Sequence, residues 1–245
     1  MKTMVIYFSP TGGTKQVAQL IADKLGGDMV DITVFNNEMH FTAQELLFFC
    51  FPVYGGRIPS PMYDRMAAIH GEGTPAVQVA VYGNRAVEDA LVEMSDLCQR
   101  QGFRTVGGCE MIAPHAIDRS IGAGRPDARD VAQLNLFLRQ LTERPELKDV
   151  SLPGNHDYRK YDGIPFRPVV SKDCTECGTC SMECPAGAID PCVSMSPDKD
   201  KCISCMRCVS ICPFGNRKLP KAMQLAAAVY LRKECMGRKE PKFYL

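Results

Sequence analysis

Apolar positions in the first 144 residues follow two rhythms. Short runs rich in β-branched side chains occur at 4–8, 29–34, 46–53, 76–82 and 105–112. Between them, spacings of three and four put Val17, Leu20, Ile21 and Leu25 on one helical face, and Val87, Ala90, Leu91, Met94 and Leu97 on another. Strand and helix signals that alternate in this way predict a parallel α/β sheet covered by helices. Thr42 and Glu45 have the spacing of a capping box before a single short turn. Pro126 is expected to open a last helix, with Val131, Leu134, Leu138 and Leu141 inward, because a missing N–H is harmless at the first helical position.

Periodicity then stops. Residues 145–170 hold Pro145, Pro153, Pro165, Pro168, Gly154 and Gly163, and read as a linker. A structureless stretch of that length is awkward, and Tyr158, Tyr161 and Phe166 suggest packing along a surface. After Pro220 a helical pattern returns, with Met223, Ala227, Tyr230 and Leu231 as its buried face. The expected organisation is a domain over 1–144, a linker over 145–170, a small domain over 171–216, and a helix with a basic tail over 217–245.

The 245-residue chain has a net charge of +1, unevenly spread. Its last 29 residues carry eight basic and two acidic side chains, a tail that could dock an acidic partner or fold back on the acidic body. No nucleic-acid-binding module is recognisable. The longest apolar run, L-L-F-F-C-F-P-V at 46–53, is strand-sized, so no membrane span is expected. The start, M-K-T-M-V-I-Y-F, has no export-signal pattern, and the expected location is cytoplasmic.

Thirteen cysteines change the picture, because eight of them form two copies of C-x2-C-x2-C-x3-C-P. The first copy is Cys174, Cys177, Cys180 and Cys184; the second is Cys202, Cys205, Cys208 and Cys212. A zinc ribbon is saturated by two C-x2-C pairs about 15 to 20 residues apart, so the additional cysteines are surplus to it. Disulfides need an oxidising compartment, which nothing here indicates. Soft thiolates at this spacing suit two iron–sulfur clusters. Cys50, Cys98, Cys109, Cys192 and Cys235 read as structural.

The doubled run resembles bacterial two-[4Fe–4S] ferredoxins. In that family the fourth cysteine of each run ligates the other cluster. The resemblance therefore implies one cluster on Cys174, Cys177, Cys180 and Cys212, and another on Cys202, Cys205, Cys208 and Cys184.

Directly after the first strand, residues 9–14 read S-P-T-G-G-T. Hydroxyls and glycines at a helix N-terminus favour an anion. The loop is neither a Walker A nor a G-x-G-x-x-G sequence. It resembles the phosphate loop of flavodoxins, which bind FMN, and implies that Ser9, Thr11, Gly12, Gly13 and Thr14 hold the phosphate. Flavodoxin-like folds place the flavin ring at the carboxyl ends of the third and fourth strands. Here those ends supply Pro52, Val53, Tyr54, Gly55 and Gly56, and then Tyr82, Gly83, Asn84 and Arg85. With no tryptophan in the chain, an aromatic sandwich would use Tyr54 and Tyr82. Arg85 either faces the flavin, where a cation would raise its potential, or starts a helix and points to solvent. His115 and His156 have no partner at a diagnostic spacing.

The whole chain resembles flavodoxin-like/ferredoxin fusion proteins of anaerobes. That implies a flavodoxin-like doubly wound five-stranded parallel sheet plus a small α+β bacterial ferredoxin-like domain. It also implies electron transfer between FMN and two [4Fe–4S] clusters, with redox proteins as donor or acceptor. A flavin-dependent reductase, with Arg57 or Arg85 positioning a small acceptor, is the alternative. A redox sensor that holds a partner through the basic tail is a third reading.

Overall fold

A computed structural model describes residues 1–34, 37–161, 163–192 and 195–245. The chain opens with β1 (Lys2–Tyr7) and α1 (Gly13–Leu25), then β2 (Asp28–Asp31), a short β3 (Met39–Thr42) and β4 (Glu45–Pro52). α2 (Pro61–Ala67) and β5 (Ile69–Glu72) lead to β6 (Thr74–Tyr82), α3 (Ala90–Arg100), β7 (Phe103–Ile112) and α4 (Ala128–Thr142). Strands β2, β1, β4, β6 and β7 pair in parallel in that order. Counted along the chain, this is the flavodoxin-like order 2-1-3-4-5 of a doubly wound sheet.

The apolar runs become central strands because both sheet faces are covered, which demands continuous rather than alternating hydrophobicity. Every residue of β6 is buried. One face packs under α1 and α4, where Val17, Ile21, Leu134 and Phe137 meet Phe48 and Val79. The other packs under α2 and α3, where Met62, Met66, Leu91 and Met94 meet Phe49 and Phe51.

The five expected parallel strands and the Thr42–Glu45 turn are present; the structure adds two features to them and corrects the expected places of Pro126 and Tyr230. The sheet has six strands, because β10 (Lys242–Tyr244) adds antiparallel to the outer edge of β7. Strands β3 and β5 form a separate parallel ribbon, and the Thr42–Glu45 contact (N to Oε2, 2.8 Å) closes the turn between β3 and β4. Pro126 lies outside α4, whose N-cap is Asp127 in a capping box with Asp130. α7 (Lys221–Glu234) buries Ala227 and Leu231, whereas Tyr230 is 54 % exposed.

The basic tail folds back on the acidic body. Arg238 pairs with Asp127 and Asp130 at 2.5 and 3.1 Å, and Lys242 with Glu110 at 3.2 Å. Phe243 stacks on Phe137 of α4 with ring centroids 5.1 Å apart. The described residues of 145–170 form neither helix nor strand until β8 (Val169–Val170), yet several are tied to the α/β body. The N–H groups of Asn155 and Arg159 both donate to the Asp89 carboxylate at 2.8 Å, and Tyr158 Oη donates to Asp96. β8 pairs antiparallel with β9 (Arg217–Lys218), bracketing α5 (Thr179–Met182) and α6 (Arg207–Ser210). Among the described residues, no helix is long and apolar enough to cross a membrane.

Candidate functional site

At the carboxyl end of the sheet, beside the β1/β4 switch point, lies a cavity of about 470 Å³. This is where doubly wound folds bind ligands, and the size suits a cofactor. Its floor is the loop between β1 and α1. Ser9 anchors that loop, with its N–H on Thr33 Oγ1 at 2.8 Å and its Oγ accepting from Lys15 N at 2.9 Å. Gly12 caps α1 at φ 89°, a conformation that glycine adopts without steric penalty. Gly13 sits so close to the end of β7 that a Cβ there would lie 3.0 Å from Ala113 Cβ. The N–H groups of Gly13 and Thr14 start the helix without intrahelical partners and meet the positive end of its dipole. Ser9, Thr11, Gly13 and Thr14 line the cavity; Gly12 shapes the loop without lining it.

Pro52, Val53, Tyr54 and Gly55 form one wall and Tyr82, Gly83 and Arg85 another. Tyr54 is held by paired backbone bonds with Arg57 (3.0 and 3.2 Å) across a turn in which Gly55 and Gly56 have positive φ. Burial pushes both tyrosine hydroxyls up, Tyr82 to about 12, so both stay neutral. Arg85 lines the cavity and pairs with Glu88, so neither sequence alternative describes it fully.

Two other expected site residues stand outside the lining. Gly56 is not in the lining. Asn84 is absent from it too; its Nδ2 donates at 2.8 Å to the carbonyls of Cys235 and Gly237 and clamps the C-terminal segment. Arg57 is committed elsewhere as well. Its guanidinium grips the fully buried Glu93 at 2.6 and 2.7 Å and donates to the Arg159 carbonyl at 2.8 Å.

The rest of the enclosure comes from residues that the sequence reading did not assign to the site, although it expected Tyr161, Phe166, Tyr230 and Leu231 to pack against the body. His115 lies against Gly83, where a Cβ would come within 2.7 Å of His115 Cα. Its Nδ1 accepts the Ile117 N–H at 3.1 Å, which leaves the proton of the neutral ring on Nε2. Burial pulls its pKa down to about 4, helped by Arg85 and opposed by Asp118. Tyr161, Ile164 and Phe166 of the 145–170 stretch, Ser204, and Tyr230 and Leu231 of α7 close the cavity. These residues share no periodicity or local motif with the loops they face.

The eight cysteines gather around two small cavities. Cys174, Cys177, Cys180 and Cys212 line one; Cys184, Cys202, Cys205 and Cys208 line the other. All are free thiols. The two runs share a backbone pattern. Glu176 and Ser204 occupy the left-handed region at equivalent positions, as do Gly178 and Met206, then Gly187 and Gly215. After each closing proline a backbone N–H returns to sulfur at 3.3 Å: Ala188 to Cys184 Sγ, and Asn216 to Cys212 Sγ. Convergent thiols with N–H donors to sulfur are a donor set that fits an iron–sulfur cluster. In the metal-free thiol form, burial pushes Cys205 and Cys208 up to about 12, a shift that bound cations would invert.

The second cysteine cavity abuts the large one, and Ser204 lines both. Ser204 Oγ donates to the Ile164 carbonyl at 2.7 Å. Ile203 and Cys205 pack in the same apolar cluster as Tyr54. Arg207 pairs with Glu183 and donates to the Pro10 carbonyl at 3.3 Å, tying the cysteine unit to the β1–α1 loop. The first cysteine cavity shares no lining residue with the large one and lies near exposed surface, with Cys177 exposed and Phe214 59 % exposed.

Residues 168–190 and 195–218 match the 4Fe-4S binding domain family. No curated protein matches the chain. A flavodoxin of Streptococcus pneumonia TIGR4 is similar at 18% identity, over 58% of this chain and 98% of that one, with a TM-score of 0.42. A flavodoxin from the domain Archaea is similar at 14% identity over 58% and 97%, with a TM-score of 0.40. A flavo di-iron protein from Thermotoga maritima is similar at 18% identity over 57% and 35%, with a TM-score of 0.36. The fold assignment rests on the sheet order, not on these scores.

Proposed function

We infer that this chain, a flavodoxin-like α/β domain joined to a ferredoxin-like 4Fe–4S unit, is an electron-transfer protein. It holds FMN in the large cavity and two [4Fe–4S] clusters on the two cysteine sets, and it couples two-electron to one-electron redox partners. One observation carries this reading: Ser204 lines both the large cavity and the inner cysteine cavity, so a flavin and one cluster would share a wall.

The flavin supplies the exchange between paired and single electrons; the clusters carry electrons singly. The protein's part is placement. The β1–α1 loop offers N–H groups and a helix dipole to the phosphate. Tyr54 and Tyr82 give the ring apolar walls and remain protonated. Tyr161, Phe166 and Leu231 add apolar surface to the cavity lining. Cys184, Cys202, Cys205 and Cys208 would hold the inner cluster, and Cys174, Cys177, Cys180 and Cys212 the outer one. Exposed Met182 and Phe214 near the outer set suit contact with a partner redox protein.

A reductase of small acceptors gains less support. Of the two cations that the sequence singles out for substrate positioning, Arg57 is held by Glu93 and Arg85 is paired with Glu88, while Lys160 also lines the cavity. Anaerobic purification with an absorption spectrum, an iron count and flavin extraction tests the main reading. The expected result is eight irons and one FMN per chain. Eight irons without FMN would overturn the flavin half, and FMN without iron the other.

A further inference from the structure

The two cysteine units share their cysteine spacing, closing proline and backbone pattern, and they can be compared at the fifth residue after their last cysteine. That residue is Ile189 in the first run and Arg217 in the second. Each lines a cysteine cavity, and both are buried, Arg217 to 3 % and Ile189 to 4 % exposure. Ile189 stands at the inner set and Arg217 at the outer one. At this position the inner set meets an apolar side chain and the outer set a buried cation.

Arg217 donates from Nη2 to Cys180 Sγ at 3.1 Å, while its Nε and Nη1 are buried without a partner. Among the described residues, no Asp or Glu pairs with it. A buried, uncompensated guanidinium is strongly unfavourable unless an anion faces it. The thiolate it meets within hydrogen-bond range is Cys180 of the outer set, while its influence on Cys208 of the inner set acts without a hydrogen bond; a reduced cluster is more negative than an oxidised one. A cation at this range therefore favours the reduced state. Ile189 gives the inner set no such preference, and Arg207, which also lines the inner cavity, is neutralised by its pair with Glu183.

We propose that Arg217 makes the outer centre the stronger electron acceptor of the two, so that electrons run outward from the flavin cavity to the exposed Cys177 face. The inference rests on the cluster assignment above. No bond forms or breaks: the inner centre is oxidised by one electron and the outer is reduced by it.

The test is an EPR-monitored redox titration of the anaerobically prepared full chain, as wild type, Arg217→Ile and Arg217→Lys. In the wild type the outer centre should have the higher potential. Arg217→Ile, which installs the residue of the inner unit, should lower the outer centre by at least tenfold in its one-electron equilibrium, about 59 mV. Arg217→Lys should restore most of the difference. An Arg217→Ile protein with full iron and unchanged potentials overturns the proposal, as does a shift confined to the inner centre. Wild-type chain labelled with 15N-arginine gives a readout that needs no variant. An arginine nitrogen coupled to the reduced outer centre, whose cavity Arg217 lines, is expected, and its absence there overturns the proposal. A wild type lacking two cubane centres would instead sink the cluster assignment, which the iron count reports separately.

Discussion

The Tyr161 ring lies over Gly55 so closely that a Cβ on Gly55 would fall 2.5 Å from Tyr161 Cε2. Gly55 also has φ 60°, unfavourable for other residues by about 1–2 kcal/mol. Gly55→Ala should therefore displace Tyr161 and open the cavity. FMN affinity should fall at least tenfold by fluorescence titration, with the cluster absorbance unchanged. Unaltered affinity would show that Tyr161 is not part of the enclosure.

Gly12→Ala tests the floor separately. Open space surrounds the position, so its φ of 89° alone opposes a side chain. A strain of about 1–2 kcal/mol predicts roughly a tenfold loss of FMN affinity, carried by the phosphate end. Riboflavin, which lacks the phosphate, should bind the variant and the parent equally.

The crossed cysteine sets make a selective prediction. Cys212→Ala should damage the centre built mainly from the first run, and Cys184→Ala the one built from the second. Iron counts should fall from eight towards four in each, with a different EPR signal surviving. Loss of the same signal in both variants would refute the crossing.

His115 predicts a pH effect with a definite sign. Its pKa is about 4 in the folded chain, below the ordinary value of 6.5. The unfolded chain therefore binds the proton first as pH falls. Stability is complete above about 6.5 and is lost towards pH 4, by up to about 3 kcal/mol. An NMR titration of the ring should give a midpoint near 4, and His115→Gln should show a smaller acid loss. A midpoint above 6 would mean that the ring is not packed on Gly83.

Asn84 sends two hydrogen bonds to the C-terminal segment, so Asn84→Ala leaves two carbonyls without donors. At about 1–3 kcal/mol each, residues 235–245 should open. Hydrogen exchange and proteolysis should quicken there, while protection of β4 and β6 stays the same. Uniformly faster exchange would instead indicate a general loss of fold.

The sequence by itself determined what depends on near neighbours. Apolar rhythm set the five parallel strands, since a strand covered on both faces must be apolar throughout. The run at 9–14 marked the anion loop, because backbone freedom and free helical N–H groups are local properties. Cysteine spacing marked the two ligand loops for the same reason. Only the tertiary structure decided which distant residues meet. Three residues, Lys242–Tyr244, carry too little pattern to announce a strand, and they pair because the edge of β7 offers unmet backbone groups. Asn84 reads as a cofactor residue until the C-terminal carbonyls arrive beside it. Arg217 reads as one more basic residue until β9 buries it against Cys180. Burial and partnership are set by chain closure over long separations, which one-dimensional spacing does not encode.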